Sequence, residues 1–150
     1  MERRSFCALL GLALIGPGLT ASTRGETVRL RPIGPSAGNA FAEACEASDV
    51  SRILFVSGQV PAHPDGTVPG DYRSQYLLAW ANVERQLRAA GMSFDNLVKA
   101  TIFLSDRALI AQSAGLRAEV LGQRTPAITI ILAGIYDAEW LLEIEAIAVA

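Results

Sequence analysis

Lysine and histidine are almost absent from this chain, with Lys99 and His63 the only examples in 150 residues. The arginines are scattered, so no basic stripe or run of like charge provides the electrostatic footprint that nucleic acid requires, and no nucleic-acid partner is expected. Cysteine is nearly as scarce. Cys7 lies in an apolar leader-like segment and Cys45 stands alone after it, which excludes an intrachain disulfide once that segment is lost. No Cys/His cluster has the spacing of metal ligands, and no glycine-rich loop of the phosphate-cradling type is present, so neither a metal nor a cofactor is implied. His63 sits in a proline-rich loop without a nucleophile beside it. What is abundant is apolar surface: 51% apolar and 19% charged residues, with no internal repeat, suit one compact domain.

The N-terminus differs in kind from the rest. Glu2-Arg3-Arg4 is a short charged region, Phe6 to Leu19 is apolar, and Thr20-Ala21-Ser22 offers small residues for cleavage, so residues 1–21 are expected to be an export signal and 22–150 the mature domain. A periplasmic location follows as the expectation. The apolar run falls short of the ~20 residues that a spanning helix needs, and Gly16-Pro17-Gly18 would break it, so no membrane anchor is expected in the mature form. Arg3-Arg4-Ser5-Phe6 resembles a twin-arginine signal, and an ordinary general-secretion leader fits the same residues.

Beyond that segment, the periodicities alternate. Thr27 to Pro32 alternates apolar and charged residues, Ala40 to Ala47 continues as a strand, and Arg52 to Gln59 is a β-branched run, with Ser48-Asp49-Val50-Ser51 as a turn. Pro61 to Gly70 is dense in breakers and reads as a surface loop. Tyr76, Trp80, Val83, Leu87 and Ala90 recur on one face of a helix over about 71–90, stopped by Gly91. Leu97 to Leu104 is a strand, Asp106 an N-cap, Ala108 to Leu121 a second helix stopped by Gly122, and Ala127 to Leu132 and Leu141 to Val149 are two apolar strands. This order predicts an α+β fold, a single mixed six-stranded sheet with two helices on one face. Cys45 is expected at an inert, buried strand position. Ala127, Ile128, Ile130, Ile131 and Leu132 leave almost no polar position on either side of their strand, so self-association is expected to cover the open face.

Four segments carry a resemblance to a known family: LFVSGQVP (54–61), NVERQLRAAGMSFDNLVKATIFLSD (82–106), TPAITIIL from Thr125, and LEIEAIAV (142–149). Over roughly residues 39–149 the chain resembles the RidA (YjgF) family, whose best-studied members hydrolyse reactive enamines and imines. The resemblance implies a chorismate-mutase-like domain assembled as a homotrimer, with the sheets toward the centre and a small-molecule cleft at each subunit boundary.

Glu143 and Glu145 lie two apart in a strand, so both face one side of it. In the family, the first glutamate of the matching segment positions the water that attacks the imine carbon, so the resemblance gives Glu143 the catalytic role. It gives Gly58 a substrate-binding role through its main chain. Phe41 falls where the family often carries a cleft-lining tyrosine, and Ile130 matches a position whose main chain contacts ligand. The departure is at Ile128. Active members follow the Pro-Ala pair with an arginine that clamps the substrate carboxylate, whereas here Pro126-Ala127 is followed by Ile128. A bidentate clamp supplies two charge-assisted hydrogen bonds of roughly 1.5–3 kcal/mol each, so its loss weakens carboxylate binding by ~10²–10⁴-fold. Arg117 and Arg124, the nearby arginines, occupy helical or loop positions expected to be solvated, and neither is expected to replace it. The residues leave two readings: a hydrolase of enamines or imines with altered specificity, or a non-catalytic oligomeric protein, ligand-binding or stress-related, that keeps the cleft.

Overall fold

Asp71 opens the longest element of the computed structural model, which describes residues 27–34 and 40–150; the expected leader lies outside them. Its carboxylate accepts the Ser74 amide at 2.9 Å, capping helix α1, Tyr72–Ala89. The expected stripe of Tyr76, Trp80, Val83 and Leu87 is buried, and Gly91 leaves the helix with φ of 71°, a left-handed conformation that favours glycine. Asp106 caps as expected by accepting from the Ala108 amide at 2.8 Å. The cap is followed by a 3₁₀ turn, Arg107–Leu109, so helix α2 runs Ile110–Leu121 and not from Ala108. Among the described residues, no helix is long and apolar enough to cross a membrane.

The strands are β1 (Arg29–Ile33), β2 (Ala44–Ser48), β3 (Ile53–Gln59), β4 (Leu97–Leu104), β5 (Ala127–Leu132) and β6 (Leu142–Val149). All six expected strands form, but hydrogen bonding divides them. β3-β6-β4-β5 make a mixed sheet, with β4 and β5 parallel, and β1-β2 make a separate antiparallel hairpin. The link is one parallel bridge, Ala42 to Ala127, with the Ala42 amide donating to Pro126 O at 3.0 Å. The run expected as one strand over Ala40 to Ala47 is interrupted because Ala40 takes a φ of 51° and the chain bends at Glu43, so pairing with β5 ends after a single residue.

Directly opposed residues share a sheet face, so the register sorts the side chains. Leu142, Ile144 and Ala146 of β6 pair with Leu104, Ile102 and Ala100 of β4, and all are buried beneath the helices. Ile128, Ile130 and Leu132 oppose those same β4 residues and therefore share that face. The other face holds Glu143, Glu145 and Ile147 of β6, Phe103, Thr101 and Lys99 of β4, Ala127, Thr129 and Ile131 of β5, and Ile53 and Phe55 of β3. It is uncovered. Phe55 is 73% exposed and Ile53 57%, on one edge strand, while Ile131 is exposed on the other.

Two amides on α1 fix the loops around the sheet. Asn82 donates to Val60 O and Ala62 O at 2.8 and 3.0 Å, and Gln75 donates to Pro69 O and Glu139 O while accepting the Leu141 amide. Both side chains are buried with their hydrogen bonds made, as an interior amide must be.

Candidate functional site

β3 loses register with β6 between Val56 and Gln59, so Ser57 and Gly58 sit in an irregular stretch outside the ladder. Gln59 stabilises it by donating to Ser57 O and Gly58 O at 3.0 and 3.3 Å, and Gln86 of α1 donates to Gln59 Oε1. The bulge receives Glu143. A Cβ built on Gly58 would lie 1.6 Å from Glu143 Oε1 and 2.6 Å from its Cδ, so the carboxylate occupies space that only glycine leaves free. Glu143 is half-buried, and its carboxylate forms no hydrogen bond or ion pair with any described residue. Gly58 and Glu143 thus form one unit: a carboxylate seated against bare main chain, with its acceptor capacity uncommitted.

Phe41, Ile128 and Ile130 lie elsewhere. Phe41 precedes the Ala42 bridge to β5, and Ile128 and Ile130 are on β5 itself, partly buried against the core. β5 and β3 are opposite edges of the sheet, three strand spacings or ~14 Å apart, so one chain does not bring the two sets of residues together. The Ile128 side chain packs with the helix-covered core.

Arg117 is the residue that sequence reasoning misplaced. It is 5% exposed, not solvated, and its guanidinium lies 5.4 Å from the Phe41 ring centroid. The signal was available: Ser113, Leu116, Arg117, Val120 and Leu121 trace the inward stripe of α2 at spacings of three and four, which places Arg117 inside. Nearby, Tyr72 Oη and Ser113 Oγ share a hydrogen bond of 2.6 Å, and burial raises the Tyr72 pKa. Arg124, as expected, stays at the surface, where it pairs with Asp95 at 2.6 Å and holds that carboxyl below its usual range. Cys45 is only half-buried on β2, a correction to its expected core position, and burial pushes its thiol pKa up. Among the described residues, no three His, Cys, Asp or Glu side chains converge on a metal position.

The profile of the family described as Endoribonuclease L-PSP matches residues 34–150. A RutC family protein of Pyrococcus horikoshii is 32% identical over 120 residues, covering 79% of this chain and 89% of that protein. Among solved structures, the Rid-family protein YyfB of Yersinia pestis, of unknown function, superposes with a TM-score of 0.71 at 26% identity, covering 81% of this chain and 98% of that one. The structure of Escherichia coli TdcF with bound serine gives 0.63 at 30% identity, covering 79% and 90%.

Proposed function

Because the chain belongs to the RidA (YjgF) family, we propose that it hydrolyses a reactive imine or enamine without a carboxylate, at a cleft completed by a second subunit. The observation that carries this reading is the Glu143 carboxylate seated on Gly58 with no competing hydrogen bond. From there it can orient a water toward an imine carbon and relay the proton to nitrogen; the C–N bond then breaks, and carbonyl and amine leave. Main-chain groups at the Gly58 bulge hold the substrate nitrogen. The TdcF structure with serine supports a small, amine-derived ligand.

The separation of the residues supports the second subunit. With Gly58 and Glu143 near one sheet edge and Phe41, Ile128 and Ile130 near the other, a shared cleft requires the β3 side of one copy to meet the β5 side of the next. The exposed apolar side chains of the open face have the same arrangement: Ile53 and Phe55 on one edge, Ile131 on the other. Unlike patches on opposite edges match in a head-to-tail contact, which makes a ring where the rotation between copies closes, and a homotrimer is the ring proposed.

Ile128 supports a substrate without a carboxylate. Packed against the core, it offers no cation to a carboxylate. Two imines that differ only in a carboxylate test this. Ammonia release from the carboxylate-free imine should exceed the uncatalysed rate at least ~10-fold, about 1.4 kcal/mol of barrier, while the amino-acid imine stays close to background. Ile128 also favours a second reading, a non-catalytic oligomeric ligand-binding or stress-related protein. Tight ligand binding without acceleration of either imine would select it.

We also infer export of the domain to the periplasm after removal of residues 1–21. Protein recovered outside the cytoplasm should begin near Ser22, and cytoplasmic protein retaining Met1 would count against export.

A further inference from the structure

Two charged side chains on the inner strands of the open sheet face have no part in the reading above. Lys99, the only lysine in the chain, stands opposite Ile147 and Ala127, and its Nζ donates to Thr129 Oγ1. Glu145 stands opposite Thr101, exposed, and makes no hydrogen bond or ion pair with any described residue. The two occupy adjacent strands, yet no ion pair joins them within the chain. Thr101 and Thr129 lie beside them, and apolar side chains stand beyond: Phe103 and Ile131 at one end, Ile147, Phe55 and Ile53 toward the other. If this face is covered, an ammonium and a carboxylate lose water together, and each is costly to desolvate unless it meets an opposite charge.

We propose that the Lys99 ammonium of one subunit pairs with the Glu145 carboxylate of the next and so fixes the register of the head-to-tail ring, an inference that rests on the assembly described above. A second copy of this chain is the occupant because the β5 side of the face, with Lys99, complements its β3 side, with Glu145. Each copy carries Lys99 on β4 and, apart from the Glu143 held on Gly58, the Glu145 carboxylate on β6, with different apolar side chains at the two edges, so a single heterologous contact satisfies both the charge and the apolar surface. The pairing also explains why two glutamates stand on one apolar strand. Glu145 is neutralised at the subunit boundary, and Glu143, held on Gly58, stays available to the ligand.

Sedimentation of the full-length chain, with Lys99→Glu, Glu145→Lys and the double exchange, tests the pairing at low and high salt. Each single reversal places like charges together and should raise the concentration needed for assembly at least ~10-fold, more at low salt, while the double exchange recovers most of the loss. Circular dichroism checks folding. Should a reversal prevent folding, Lys99→Met and Glu145→Gln replace it: each alone strands a charge and weakens assembly, and the two together recover it. Single variants that assemble like the wild type, or double variants no better than the sum of the singles, overturn the pairing alone. A monomeric wild type overturns both the pairing and the ring, and assigns the open face to another occupant.

Discussion

Glu143→Gln should lower imine hydrolysis by ~10²–10⁴-fold while leaving the fold and the assembly unchanged. The substitution keeps the shape of the side chain and removes its capacity to take a proton from water. Because the carboxylate has no hydrogen bond or ion pair with any described residue, removing its charge strands no partner, so the melting temperature should stay close to wild type. Gly58→Ala reaches the same defect by geometry. The new Cβ would overlap Glu143 Oε1 at 1.6 Å, and with Cγ only 3.0 Å away the whole end of the side chain must move. A displacement of about an ångström at a reacting group costs on the order of 10²-fold, whereas the added methyl should cost only about 1–3 kcal/mol of stability. The Gly58→Ala, Glu143→Gln double variant should then be little worse than Glu143→Gln alone, since both changes disable one unit. Full activity in a folded Glu143→Gln protein would remove Glu143 from the chemistry.

How far the sequence reveals this arrangement depends on the kind of contact. The α1 stripe, the Asp106 cap and the six strands are local patterns, and they appear with ends shifted by a few residues. The division of the sheet is not local: it turns on the positive φ of Ala40 and the bend at Glu43, which end pairing with β5 after Ala42. Period two places Glu143 and Glu145 on one side of β6, but only the register with β4 and β3 separates them, Glu143 beside the Gly58 bulge and Glu145 opposite Thr101. Arg117 departs from its expected solvated position because its place on the helix, and not its residue type, sets its burial. Its spacing on α2 points inward, and the Phe41 ring it faces is seventy-six residues earlier in the chain, a pairing that no local pattern encodes.

Ile128→Arg should confer hydrolysis of imines derived from neutral amino acids on a protein that otherwise leaves them near background. A complete bidentate clamp is worth ~10²–10⁴-fold in carboxylate binding, and a guanidinium without matching support should recover part of it, at least ~10-fold. The structure sets the condition for success. Ile128 is partly buried against the core, so the arginine stem must cover the same apolar surface while its head reaches the rim of the cleft. That rearrangement should cost about 1–2 kcal/mol, the order of one buried apolar side chain, and should appear as a lower melting temperature with sedimentation unchanged. Adding Glu143→Gln should erase the gain, which ties it to the same cleft and the same water. Strong wild-type activity on the carboxylated imine would show that another group already holds the carboxylate. A folded, assembled Ile128→Arg protein with no gain would count for a ligand-binding protein, because a single restored cation would then be insufficient for a cleft that differs from the hydrolases at more than one position.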